Sequence, residues 1–180
     1  MKMNLPNKLT ILRILLIPVF VFFMLGHTGT AGKWIAGLLF IAASLTNTLD
    51  GYLARKNDEI TVFGKFMDPL ADKLLVCSAL ICLVQLKRLS AWVVIIIVSR
   101  EFIISGFRLV AAERGTVIAA SSWGKLKTVA QMIMVILLIF NFSGLFHVLG
   151  QIFTVLATIL TVVSLVDYIY KNVDVLKDVH

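Results

Sequence analysis

The chain has 180 residues, is 59% hydrophobic and only 15% charged, and carries a formal net charge of +7. A mean hydropathy of +0.97 excludes a soluble enzyme or a soluble binding module. The surplus of bases does not mark a nucleic-acid protein, because the Lys and Arg punctuate apolar runs instead of forming a solvated patch.

A membrane span takes roughly 20 residues, so about six helices with short loops fit this length. The apolar runs predict spans at residues 9–25, 33–49, 69–86, 90–112, 126–142 and 148–170. The expected architecture is all-α: a polytopic six-transmembrane-helix bundle, one domain over residues 1–180. Residues 2–8, with Pro6, form a polar lead suited to the interface. The first run has no convincing small-residue cleavage site and is interrupted by Pro18, so it reads as a retained span, not a signal peptide. The Gly/Thr-rich stretch 26–32 is an expected external loop. With the N-terminus inside, 14 of the 17 Lys and Arg fall on the cytoplasmic side, and only Lys33, Lys87 and Arg88 lie outside. Both termini are therefore expected in the cytoplasm.

The end of the second run and the start of the third carry an acidic block. Asn47, Asp50, Gly51 and Ala54 recur at i, i+3, i+4 and i+7, one face of a helix. Arg55 follows, then the hydrophilic Asn57-Asp58-Glu59, then Gly64, Asp68 and Asp72. Pro69 suits a helix's first turn, which puts Asp68 near an N-cap and Asp72 one turn deeper. Carboxylates at membrane depth are costly and signal function. Asp50, Asp68 and Asp72 placed together would repel unless cations held them, and hard divalent ions suit oxygen ligands. Gly51 and Ala54 remove bulk so that a phosphate-bearing ligand can approach the backbone, and Arg55 can fork onto a diphosphate. The competing reading is polar glue between helices.

Further along, Arg100, Glu101 and Arg108 interrupt the fourth run, where Glu101 can neutralise only one of the two arginines. Lys125 and Lys127 open the fifth. Together Arg100, Arg108, Lys125 and Lys127 could hold an anionic acceptor; for each lysine alone, a positive-inside flank explains as much. Cys77 and Cys82 read as apolar fillers, Asp167 as a partner of Lys171, and Trp34, Trp92, Tyr168 and Tyr170 as interface anchors. His27, His147 and His180 are not placed for catalysis.

The acidic block resembles the signature of the CDP-alcohol phosphatidyltransferase family, Asp-x2-Asp-Gly-x2-Ala-Arg-x8-Gly-x3-Asp-x3-Asp. Asp50, Gly51, Ala54, Arg55, Gly64, Asp68 and Asp72 are in register, seven of eight fixed positions across 26 residues. The first position, normally Asp, is Asn47. The resemblance implies two divalent ions, Mg2+ or Mn2+, held by Asp50, Asp68 and Asp72, with Asn47 a weak neutral ligand. It implies a CDP-binding face of Asn47, Asp50, Gly51, Ala54, Arg55 and Gly64, and Asp72 as the general base. The acceptor alkoxide then attacks the β-phosphorus of the CDP-linked lipid and CMP leaves. Asn47 lowers the formal charge of the motif from −4 to −3, so at least one ion is expected to bind more weakly. A natural variant working through its carbonyl oxygen, a change introduced to trap substrate, and a non-catalytic CDP-lipid-binding relative all fit Asn47.

Arg100-Glu101-Phe102 with Arg108, Gly124-Lys125-Leu126-Lys127-Thr128, and Leu5-Pro6-Asn7-Lys8-Leu9-Thr10 with Arg13 are similar to the phosphatidylglycerophosphate synthase branch of that family. The resemblance implies CDP-diacylglycerol as donor, sn-glycerol 3-phosphate as acceptor and a homodimer in the bacterial cytoplasmic membrane, with the active site facing the cytoplasm. A cardiolipin synthase, taking phosphatidylglycerol instead, needs a dense Arg/Lys cluster less. A cation transporter would show an internal repeat, which this sequence lacks.

Overall fold

A computed structural model describes residues 5–26, 29–56, 62–113, 118 and 121–173; within the helices, the side chains at 5–7, 9, 47–56, 62–66, 68 and 69 lie outside that description. The apolar runs form helices, and no strand occurs among the described residues. The helices are α1 (Leu5–Leu25), α2 (Gly29–Lys56), α3 (Val62–Gln85), α4 (Ala91–Glu113), α5 (Ser122–Phe140) and α6 (Leu145–Lys171). Three of them are long and apolar enough to cross a membrane, through Gly29–Thr46, Ser122–Phe140 and Leu145–Lys171, and Thr10–Leu25 is a shorter apolar stretch. Helices α3 and α4 are interrupted by ionisable residues, Asp72-Lys73 in one and Arg100, Glu101 and Arg108 in the other.

The chain divides into two units, Met1–Arg88 and Leu89–His180. In the first, α1 packs against both α2 and α3, and α2 also touches α3. Phe20 and Phe40 are wholly buried with ring centroids 6.1 Å apart. Ala36, Ala43, Ala71 and Ala79 are buried with them, small side chains that let helix backbones approach closely. The opposite faces present Leu15, Phe22, Leu38, Leu45 and Ile81 outward. Such surface is stable against lipid tails and costly against water.

Helix α3 ends in a paired-bond turn: Lys87 N donates to the Val84 carbonyl (2.9 Å) and Arg88 N to the Leu83 carbonyl (2.9 Å). This closure requires a left-handed residue, usually glycine, and here Lys87 supplies it at φ 57°. Left-handed backbone is disfavoured for a side chain by roughly 1–2 kcal/mol. Lys87→Gly is therefore expected to stabilise the protein by about 0.5–1 kcal/mol, after the larger unfolded-state freedom of glycine is discounted. A denaturation midpoint in detergent that stays put or falls would contradict this.

In the second unit α6 packs on both α5 and α4. Ser121 caps α5, its Oγ accepting from Gly124 N (3.1 Å), and Asn141 closes the other end in a left-handed conformation, with its N donating to the Leu137 carbonyl (3.0 Å). Gly144 starts α6 at φ 69° and ψ −135°, a conformation reserved for glycine. Ala130, Met134, Val135, Leu138 and Ile139 of α5 form the core with Ala157 and Leu160 of α6.

Several expectations change. Helix α2 begins at Gly29, so most of the expected loop 26–32 is helical, and His27 lies outside the described residues. Leu5–Lys8 begins α1 and is not a separate segment. Helix α3 starts at Val62, so Pro69 is its eighth residue and Asp68 is inside the helix, not at its N-cap. The apolar Val62, Phe63, Phe66 and Met67 carry the helix about two turns ahead of Pro69, whose missing N–H forfeits one bond. Trp34, Trp92 and Tyr170 are exposed as anchors would be, but Tyr168 is 3% exposed and belongs to the core. Cys77 and Cys82 remain thiols.

Candidate active site

The acidic block belongs to the first unit. Unbroken helix through Lys56 stacks Asn47, Asp50, Gly51 and Ala54 along one side of α2, and the four-residue spacing of Gly64, Asp68 and Asp72 does the same on α3. These two helices touch. Of the block's polar side chains, Asp72 alone is described: it is half-buried, the eleventh residue of α3. The side chains of Asn47, Asp50, Arg55 and Asp68 lie outside the described residues, as do Asn57, Asp58 and Glu59 altogether. No group of three metal-ligating side chains occurs among the described residues. By residue type, three acids and an amide offer only hard oxygen atoms to a cation, chemistry that would suit a hard divalent ion.

Also on α1, Thr10 and Arg13 are buried, Arg13 at 2% exposure. In the sequence these positions fit either a helix start at the interface or the entrance of the nucleotide or acceptor, and their burial is unlike an interfacial helix start.

The second unit holds a basic cluster. Arg100 is buried; its Nε donates to Ser164 Oγ (3.1 Å) and its Nη1 to Glu101 Oε1 (2.8 Å). Lys127, 1% exposed, donates from Nζ to the same Glu101 oxygen (2.6 Å). Of the two α4 arginines Glu101 pairs with Arg100, and it also takes Lys127, a partner that spacing did not suggest; it bridges α4 and α5. Among the described side chains, these two cations and one carboxylate sum to a formal +1. A Cβ added at Gly124 would lie 3.0 Å from Arg100 Nη2, so the glycine leaves room for the guanidinium.

Arg108 and Lys125 are exposed. The Arg108 guanidinium carbon lies 5.9 Å from the centroid of the Tyr168 ring, within range of a cation–π contact. Phe107 meets the same ring edge-on at 6.1 Å. Lys171 pairs with Asp167 at 2.6 Å, as expected from their spacing. Sequence reasoning missed Ser164 and the burial of Tyr168. Their only signal is that both are polar positions on a buried stripe of α6 with Ala157, Leu160 and Thr161.

A family profile described as CDP-alcohol phosphatidyltransferase matches residues 3–163. The chain belongs to the CDP-alcohol phosphatidyltransferase family. Among relatives in this family, a CDP-diacylglycerol–glycerol-3-phosphate 3-phosphatidyltransferase of Bacillus subtilis is 46% identical, over 97% of each chain. A protein of the same name from Haemophilus influenzae is 42% identical, over 94% of this chain and 93% of its own. A probable phosphatidylglycerophosphate synthase of Mycobacterium tuberculosis is 42% identical, over 93% of this chain and 81% of its own. The CDP-alcohol phosphatidyltransferase match runs through both units, so the acidic block and the basic cluster both fall inside it.

Proposed function

We propose that this enzyme transfers the phosphatidyl group from CDP-diacylglycerol to sn-glycerol 3-phosphate, giving phosphatidylglycerophosphate and CMP. The observation that carries this is the near-full-length similarity to enzymes named for that reaction, joined to an intact acidic signature from Asp50 to Asp72. The whole chain, 1–180, acts as one membrane domain of six spans. Both termini and the active site face the cytoplasm of a bacterial cell, and the functional form is a homodimer. The apolar outward faces and the asymmetry of Lys and Arg support the topology.

Asp50, Asp68 and Asp72 hold Mg2+ or Mn2+, with Asn47 adding a neutral oxygen. When bound, two such ions neutralise negative charge on the diphosphate. Asn47, Asp50, Gly51, Ala54, Arg55 and Gly64 form the face that takes the CDP group, Gly51 and Ala54 by leaving space and Arg55 by donating to phosphate oxygens. Asp72 takes the proton from the acceptor hydroxyl. The alkoxide oxygen bonds to the β-phosphorus, the bond to the bridging diphosphate oxygen breaks, and CMP departs. Asn47→Asp should lower the Mg2+ concentration needed for half-maximal rate, since it restores one negative charge; an unchanged requirement would remove Asn47 from the ligand set.

Arg100, Arg108, Lys125 and Lys127 take the acceptor phosphate. A free phosphate monoester carries close to two negative charges, which suits a cluster with residual positive charge and two exposed cations. Arg108→Ala should raise the KM for glycerol 3-phosphate about tenfold and leave that for CDP-diacylglycerol within twofold. Equal shifts in both would assign Arg108 to structure. Phosphatidylglycerol, the cardiolipin synthase acceptor, is the alternative; its phosphodiester carries one charge and makes less use of this cluster.

A further inference from the structure

We infer that Ser164 and Tyr168 of α6 are positioning residues that aim the two α4 arginines at the acceptor phosphate. They lie one turn apart on α6 and are both buried, at 0% and 3% exposure. Each engages one arginine: Ser164 takes Arg100 through Nε, and Tyr168 takes Arg108 through its ring. Arg100 and Arg108 are eight residues apart on α4, two turns along one side.

The chemistry at each contact is directional. The Ser164 hydroxyl gives its proton to the Thr161 carbonyl (3.0 Å), so the oxygen offers Arg100 a lone pair and cannot turn to donate instead. With Nε held by Ser164 and Nη1 by Glu101, Arg100 has its fork fixed, and Nη2 lies on the side of Gly124 at the start of α5. Tyr168 works differently. Its hydroxyl is buried and makes no hydrogen bond among the described residues, so the ring is the part that meets Arg108. Phe107 braces that ring edge-on, and Arg108 rests over it while staying exposed to a ligand. An arginine held this way loses less side-chain freedom when it closes on phosphate.

The inference rests on glycerol 3-phosphate binding at this cluster, and the test separates the two. Steady-state constants for both substrates would be measured in detergent micelles for Arg108→Ala, Tyr168→Leu, Tyr168→Phe, Ser164→Ala and the Arg108→Ala/Tyr168→Leu pair. Tyr168→Leu and Ser164→Ala should each raise the KM for glycerol 3-phosphate about three- to tenfold, with the KM for CDP-diacylglycerol unchanged. Tyr168→Phe should match the parent, because the ring and not the hydroxyl is used. Adding Tyr168→Leu to Arg108→Ala should cause no further rise. If Arg108→Ala itself leaves the acceptor KM unmoved, the acceptor site is misassigned and the inference falls with it. If Arg108→Ala raises it but Tyr168→Leu does not, or if Tyr168→Phe behaves like Tyr168→Leu, the positioning role alone is overturned. Should Tyr168→Leu fail to fold, Ser164→Ala decides: a rise confined to the acceptor supports the role, and an equal rise for both substrates or none overturns it.

Discussion

Replacing Asp72 by Asn should reduce turnover by about 10²- to 10⁴-fold while CDP-diacylglycerol binding stays within a few-fold of the parent. The amide matches the carboxylate in size but cannot take a proton at neutral pH, so with Asp72 as the proposed base attack should fail while docking of the donor lipid survives. The half-buried position of Asp72 within α3 is compatible with reach to a bound alcohol. Asp68→Asn provides the contrast: donor binding and metal binding should weaken together, because in the proposed arrangement that carboxylate is a ligand first. Equilibrium binding of a CDP-lipid, measured beside single-turnover rates, distinguishes the two. Parallel loss of binding and rate in Asp72→Asn would make Asp72 a ligand and leave the base unassigned.

The largest loss of stability should follow Glu101→Ala. Glu101 Oε1 accepts from both Arg100 and Lys127, and both cations are buried. Removing the carboxylate takes a counter-charge from two buried cations at once. Breaking a buried pair costs about 3–5 kcal/mol, and the 20% exposure of the Glu101 side chain moves the expectation to the lower end, about 3 kcal/mol. The origin of the effect can be separated from lost packing by adding Lys127→Met to Glu101→Ala. Deleting the second charge while keeping an apolar stem should recover about half of the lost stability, read as the thermal midpoint in detergent. A double variant no more stable than Glu101→Ala would rule out charge burial as the cause.

Much of this protein is readable from its residues because long apolar runs leave little freedom: each became a helix, with its ends displaced by up to seven residues. The acidic block is readable for a related reason, since its spacing is local and helix geometry converts spacing directly into a shared side. Elsewhere locality fails. Pro69 suggested a helix start, but two turns of apolar residues ahead of it extend α3 back to Val62. Tyr168 looked like an interface anchor by its place near a span end; its burial depends on Phe107 and Arg108 of another helix. The contact between Arg100 and Ser164 joins residues 64 positions apart. Periodicity identifies which residues share a face but not which neighbour covers that face, so Glu101 could not be given two partners from spacing alone.

Release of CMP from CDP-diacylglycerol, followed after addition of glycerol 3-phosphate to the purified chain in mixed micelles with Mg2+, tests the central claim most directly. CMP should appear in step with phosphatidylglycerophosphate, one for one, stop when the divalent ion is chelated, and run far slower with phosphatidylglycerol as the only acceptor. Metal-saturated enzyme that binds the CDP-lipid yet releases CMP no faster with glycerol 3-phosphate than without it would contradict the assignment.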